Sequence, residues 1–354
     1  MNERRFNTVG GGGVRRIGHN IFEEIISLEN LFAAWLEFRR GKMKKSDVQQ
    51  FDFAREDNLL SLQSELRTRI YYPQDYRFFY VRDPKLRPIH KAKVRDRVLF
   101  QAVFRVLYHF FDKKFIFDSY ACRFGKGTLA GVMRLNQFAR RAGANYSRPV
   151  YALKCDIKKF FYSVDHKVLL GLIGRTIDDK DTLWLAERII SSFHIERGKG
   201  LPLGNVTSQL FSNIYLNELD QYVKHVLKEK FYLRYCDDFI ILNRERERLA
   251  EIVPRINEFL KSRLQLCLHP QKVEIRKLSQ GIDFLGYVVL PHHIVLRTKT
   301  KRRMFKKLRQ KRLALESGRI TPESYHQTLQ SYLGILKHGD NHDLETWVKN
   351  CFSI

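Results

Sequence analysis

The chain has no C-x-x-C pair and only five cysteines, Cys122, Cys155, Cys236, Cys267 and Cys351. An odd number without paired spacing argues against both a disulfide framework and a structural zinc site. There is no run of about 18 apolar residues and no charged-then-apolar N-terminal segment, which predicts a soluble, cytoplasmic protein that does not enter a membrane. Acidic residues are scarce beside basic ones: 38 Asp and Glu face 64 Lys and Arg, leaving a net charge of +26. This excess runs along most of the chain instead of sitting in one tail, so a polyanionic partner is expected. No repeat, low-complexity block or linker divides residues 20–340. At 354 residues and 44% hydrophobic content, the chain suffices for one large domain or for two to three lobes sharing cores.

Glycine is concentrated at the start, where Gly10–Gly13 are flanked by Arg4, Arg5, Arg15 and Arg16; residues 1–20 read as a flexible basic arm. Apolar residues at helical spacing (Ile25, Leu28, Leu31, Phe32, Trp35) predict one amphipathic helix from Ile21 to about Arg40, and Arg55–Ile70 predicts another. Aromatics and prolines between Tyr71 and His90 predict a hairpin turning at Asp83-Pro84. Helices are expected at 95–115, 127–141, 166–192, 206–230 and 245–264. Strands are expected near 151, at 231–242, around 269–275 and over 282–289, before a very basic helical region from about Lys299.

The stretch "FYLRYCDDFIIL", Phe231–Leu242, places Asp237 and Asp238 at a tight connection between two apolar strands. Alone, the pair would also suit a solvated turn, since aspartates are common there. A third carboxylate, Asp156, ends another apolar strand in "YALKCDIKKFFYSV". If the segments are sheet neighbours, three carboxylates gather at one edge, where mutual repulsion raises their pKa values and a bound cation offsets it. Oxygen-only ligands select Mg²⁺ or Mn²⁺ over zinc. Two such ions about 3.5–4 Å apart activate an attacking 3′-hydroxyl and stabilise a leaving pyrophosphate. A basic protein with an acidic metal pocket points to a nucleic-acid polymerase.

The order of segments resembles the palm of reverse transcriptases. "CDIKKFF" resembles their first catalytic motif, "LPLGNVTSQ" the second, "YCDD" the Y-x-D-D motif, "HPQK" the lysine-bearing fourth and "FLGY" the primer-grip turn, with "RDPKLRPIHKAKVRDRV" like the fingers motif upstream. The resemblance covers about residues 27–340 and is closest to bacterial enzymes, those of diversity-generating retroelements and the "unknown group" lineages associated with antiphage defence. It implies an α+β right-hand polymerase fold: a basic arm (1–20), N-terminal helices and fingers (21–150), a palm with an antiparallel sheet (151–290) and a short helical thumb (291–354).

The same resemblance implies the roles. Asp156, Asp237 and Asp238, with the Ile157 backbone, would hold two Mg²⁺, or Mn²⁺, and Lys272 would protonate the leaving pyrophosphate. Arg87 would grip the triphosphate, where the alternative is a solvated arginine; its neighbours Lys85 and Lys91 could act with it. Phe161 would lie under the sugar and exclude a 2′-hydroxyl, with a core phenylalanine as the alternative and Phe160 as the core member of the pair. Gln209 would bond near the template base or incoming nucleotide, and Gly204 would let the backbone pass close to the ligand, against an ordinary loop-to-helix junction. Phe284, Leu285, Gly286 and Tyr287 would hold the primer end. The helical run Arg297–Arg312 reads as a thumb helix along the template–primer backbone, and Ser331–Gly339 as the closing thumb segment.

Neither N-A-x-x-H nor V-T-G, the short retron motifs, occurs, and no RNase H-like carboxylate set follows the thumb. With the sequence ending at Ile354, no room is expected for maturase or endonuclease regions or for self-spreading. The expected partners are an RNA template, a DNA or RNA primer, a cognate noncoding RNA, and a small basic accessory protein or further copies of the chain. A catalytically silent RNA-binding scaffold on the same fold is the alternative from another class; an RNA-copying RNA polymerase is disfavoured by Phe161.

Overall fold

The computed structural model describes residues 20–82 and 86–352. The basic arm expected over 1–20, apart from Asn20, and Asp83, Pro84 and Lys85 lie outside the described residues. The chain folds as two compact units, each assembled from two stretches: Met1–Phe115 with Lys159–Asn217, and Ile116–Lys158 with Glu218–Ile354.

The first unit is mainly helical. Its centre is the helix Val94–Asp112, whose apolar positions Val98, Leu99, Ala102, Val103, Val106 and Leu107 are all buried. Against it lies the helix Leu28–Arg39, which buries Leu31, Ala34, Trp35 and Phe38. The single helix expected from Ile21 is two, Ile21–Ile26 and Leu28–Arg39. Ser27 breaks it: its backbone is extended (ψ 141°) and its hydroxyl accepts the Asn30 N–H at 3.2 Å, a cap that ends one helix and starts the next. Residues 166–192 likewise divide, at Asp179, whose carboxylate caps the helix Lys180–Ser191. A helix at Ser46–Phe53 was not expected. The hairpin forms, with strand β1 (Arg77–Arg82) antiparallel to β2 (Leu86–Lys91). Phe78 and Tyr80 remain exposed on it.

The second unit carries a four-stranded antiparallel sheet in the order β4-β5-β3-β6, where β3 is Tyr151–Asp156, β4 Phe231–Tyr235, β5 Asp238–Asn243 and β6 Glu274–Lys277. Phe239, Ile240, Ile241 and Leu242 of β5 are all buried. They read as one apolar run because both faces of the strand are covered, by the helix Arg246–Leu264 and the helix Thr128–Ala142. β4 is flanked by the segment Asp118–Tyr120: the Arg234 N–H donates to the Asp118 carbonyl and the Tyr120 N–H to the Arg234 carbonyl, both at 2.9 Å. The opposite edge, β6, is short and reads Glu-Ile-Arg-Lys.

A second, three-stranded sheet follows: β7 (Ile282–Phe284), β8 (Tyr287–Val289) and β9 (Ile294–Leu296). Three helices close the unit, Thr298–Glu316, Pro322–Leu336 and His342–Phe352. Met304 and Leu308, within the basic run, are both buried in the core with Phe284 and Tyr287, and Phe305 packs partly buried against it. The long helix expected to reach residue 230 ends as an α-helix at Gln221 and continues as one π-turn, Tyr222–Val226. Among the described residues no helix is long and apolar enough to cross a membrane.

Trp35 packs against Phe51 with ring centroids 4.9 Å apart and is fully buried. Trp35→Ala is expected to cost the first unit about 3–5 kcal/mol by loss of burial and cavity formation. Urea unfolding followed by circular dichroism measures it, and a loss under about 1 kcal/mol would mean that the helices collapse into the space.

Candidate active site

The three aspartates come together at one end of the four-stranded sheet. β3 and β5 pair so that Asp156 stands directly opposite Asp238. Directly opposed residues of an antiparallel pair share a face with Cβ atoms about 4.5–5.5 Å apart. β4 and β5 pair Tyr235 with Asp238, leaving Cys236 and Asp237 as a two-residue turn. Only Cys236 of these two has positive φ, +56°, as a tight hairpin of the II′ kind requires at its first central position. Glycine is usual there, and a cysteine pays in backbone strain.

Crowding shows in the acidities. Burial first, then the neighbouring Asp156 charge, pushes the Asp237 carboxyl up to about 6. Asp238 is also raised, chiefly by burial with Asp156 adding to it, while Lys154 and Lys272 oppose the rise. The Cys155 thiol, behind the carboxylates, is pushed up to about 12 by burial, which leaves it a packing residue.

Lys272 follows the turn made by His269, whose N–H donates to the Asp156 carbonyl at 2.8 Å. This places the Lys272 ammonium 2.8 Å from Asp156 Oδ1. As the side chains stand, no three of the described His, Cys, Asp or Glu side chains converge on one point, and a lysine supplies the counter-charge to Asp156. The donor set nevertheless suits a hard divalent cation: it is all oxygen, half-buried, and contains a carboxyl held above its ordinary range by burial first and by a like charge beside it. Ile157, whose carbonyl was expected to join the set, is buried and bridges to Leu268.

Phe284–Tyr287 forms the turn between β7 and β8, with Phe284 paired to Tyr287 and with Leu285 (φ +50°) and Gly286 (φ +91°) both left-handed, the signature of a type I′ turn. The Gly286 carbonyl accepts the Arg297 N–H at 3.0 Å and the Thr300 hydroxyl at 3.2 Å, so the turn is tied to the start of the basic helix Thr298–Glu316. Arg297 also pairs with Asp283 at 2.7 Å. Phe284 is fully buried, and the Tyr287 hydroxyl donates to the Ile335 carbonyl at 3.2 Å.

The remaining expected residues belong to the first unit. Arg87 is exposed on β2, opposite Val81. Lys91, at the end of the same strand, is bound to Asp47. Phe160 is buried and Phe161 half-buried, with ring centroids 5.3 Å apart, and the Phe161 carbonyl accepts the Leu201 N–H. Gly204 is exposed at φ +114°, a conformation that L side chains rarely adopt, and a Cβ there would meet Ile89 at 3.3 Å. Gln209 is exposed in the first turn of the helix Val206–Gln221. Its predecessors Thr207 and Ser208 are buried.

One group escaped the sequence reading. Arg234, two residues before Cys236, is fully buried and forms an ion pair with the equally buried Asp220 at 2.6 Å. Its only trace in the sequence is a cation inside an otherwise apolar strand.

One sheet end thus gathers three aspartates beside a lysine in a strongly basic chain. The profile of the reverse transcriptase (RNA-dependent DNA polymerase) family matches residues 82–289, more than half of the chain. The chain belongs to this family, and it combines helices with antiparallel sheets. Protein YkfC of Escherichia coli (strain K12) is 25% identical over 266 residues, covering 64% of this chain and 69% of that protein. The group II intron-encoded protein LtrA of Lactococcus lactis subsp. cremoris is 23% identical over 304 residues, covering 66% of this chain and 49% of LtrA. The chain thus spans about half the length of LtrA. A solved structure, apo telomerase from Candida tropicalis truncated from its C-terminal domain, superposes with a TM-score of 0.48 at 14% identity, covering 68% of this chain and 60% of that one.

The raised carboxyl has a measurable sign. A folded-state pKa above the unfolded value means that the native state holds the extra proton, so stability from this group is fullest at low pH and falls as pH rises toward 6. Asp237→Asn is therefore expected to raise the melting temperature at pH 8 without divalent cations and to lose that advantage as the pH falls below about 6. Adding Mg²⁺ should stabilise the wild type selectively. Thermal melts across pH test this, and an Asn variant less stable at pH 8 would overturn it.

Proposed function

We propose that this enzyme extends a DNA or RNA primer with dNTPs on an RNA template, with Asp156, Asp237 and Asp238 as the catalytic carboxylates. The observation that carries this reading is the cross-strand pairing of Asp156 with Asp238, with Asp237 in the adjoining turn, inside the segment that matches the reverse transcriptase family. Two Mg²⁺ held by these carboxylates and the Ile157 carbonyl would activate the 3′-hydroxyl and neutralise the leaving pyrophosphate.

The chain's own residues supply the rest. Lys272, paired with Asp156 at 2.8 Å, is the group that would give a proton to the departing pyrophosphate. Arg87 pairs with triphosphate oxygens through its guanidinium fork. Phe161 fills the space a 2′-hydroxyl would need, and Gln209, with the close-passing backbone at Gly204, contacts the nucleotide or its template base. The Phe284–Tyr287 turn holds the primer end, and the basic helix Thr298–Glu316 follows the backbone of the template–primer. In this reading residues 21–150 include the fingers, 151–290 the palm and 291–354 the thumb. The likeness of Gly204–Gln209 to the second motif of diversity-generating and defence-associated enzymes supports one of those two settings, each served by a dedicated noncoding RNA; neighbouring genes distinguish them.

Primer extension on a primed RNA with Mg²⁺ is the test. DNA product is expected from the wild type and none from Asp237→Ala/Asp238→Ala; product from neither would favour an RNA-binding scaffold. Phe161→Ala should admit NTPs alongside dNTPs, and unchanged sugar selection would remove Phe161 from the gate. Affinity for the primed template should fall steeply with salt, with a logarithmic slope of about −0.7 to −0.9 per phosphate contact.

A further inference from the structure

The buried guanidinium of Arg234 reaches the carboxylate-bearing turn itself. On β4 it shares a face with Tyr232, and both side chains are fully buried. Its Nε and Nη2 donate to the two oxygens of Asp220 at 2.7 and 2.6 Å, and Nη2 also reaches the Ser119 hydroxyl at 3.1 Å. Asp220 is held in turn by the Tyr232 hydroxyl at 2.6 Å and stands just before the π-turn Tyr222–Val226. Nη1 of Arg234 donates to the backbone carbonyl of Cys236 at 3.0 Å.

That last bond is the informative one. The Cys236 carbonyl and the Asp237 N–H belong to a single planar peptide unit, so a bond that fixes the direction of the carbonyl fixes the plane from which Asp237 departs. The turn needs such support, because Cys236 holds a positive φ without being glycine. Stability alone would not call for an arginine: the desolvation of a buried ion pair largely offsets its attraction, and apolar residues of similar volume often serve as well. They cannot donate a directed hydrogen bond, which a water-excluded interior strengthens.

We infer that Arg234 is a positioning residue for Asp237, with Asp220 as the anchor that holds its guanidinium in place. This rests on the reading of the aspartates as a polymerase site. Arg234 touches no substrate; it acts through the peptide between Cys236 and Asp237.

The test uses the full chain and two variants. Arg234→Met/Asp220→Leu removes both charges together, so that neither is left buried alone. Arg234→Lys keeps the charge but loses the fork that spans Asp220 and the Cys236 carbonyl. Two readouts are taken: hydrogen exchange of the amides from Tyr235 to Phe239, and primer extension resolved into kcat and KM for dNTP. The double variant is expected to melt within a few degrees of the wild type, with those amides exchanging at least about tenfold faster. Its kcat should fall at least about tenfold while KM changes little. Wild-type exchange and kcat in a folded double variant would overturn the inference. If that variant does not fold, Arg234→Lys decides by the same two readouts, with the same directions expected. A wild type that extends no primer would remove the polymerase reading, and the exchange rates would still show whether Arg234 holds the turn.

Discussion

Repulsion between carboxylates at one end of a four-stranded sheet is the constraint around which the second unit is organised. Asp156 and Asp238 are cross-strand neighbours and Asp237 occupies the turn beside them. A cluster of this kind stays together only if the scaffold behind it is stiffer than the repulsion is strong. β5 supplies that stiffness by being buried on both faces. Lys272 supplies the counter-charge in this state. Burial first, with this repulsion adding to it, leaves Asp237 and Asp238 holding their protons above the ordinary carboxyl range, a condition that a divalent cation would relieve.

Two further tight turns meet the same demand by different chemistry. At Leu285–Gly286 both residues take left-handed backbone, and the turn is secured by bonds from Arg297 and Thr300 to a single carbonyl. At Gly204 the freedom of glycine is spent on close passage beside Ile89. The backbone is irregular at each of these points, while the neighbouring residues Phe284, Asn205 and Phe239 are buried. Irregular backbone on a rigid support is how a fold holds functional groups to fractions of an ångström.

Much of this was legible from the residues in order. Apolar runs located β3, β4 and β5, and a two-residue turn left little choice of register around Asp237 and Asp238; that Asp156 shares their edge was expected only on the condition that its strand lies in the same sheet. The breaks were harder. Ser27 sits in an apolar period that continues on either side, and only its cap bond shows that the helix stops. The π-turn after Gln221 has no compositional signature. The partnership of Arg234 with Asp220 joins a strand to a helix end across the intervening chain, so nothing in local sequence links the two. The division into units is equally silent: the chain passes between them near Phe115, Lys158 and Asn217 without a linker or a shift in composition.

The borders of the four-stranded sheet carry a consequence for the protein in concentrated solution. A hairpin as apolar as Phe231–Leu242 is the kind of segment that recruits an identical strand when its flank is open. Here the flank of β4 is already bonded to Asp118 and Tyr120, and the far border, β6, is four residues long and mostly charged. The strands that must be hydrophobic to support a charged turn are therefore shielded from strand-to-strand aggregation by the protein's own chain.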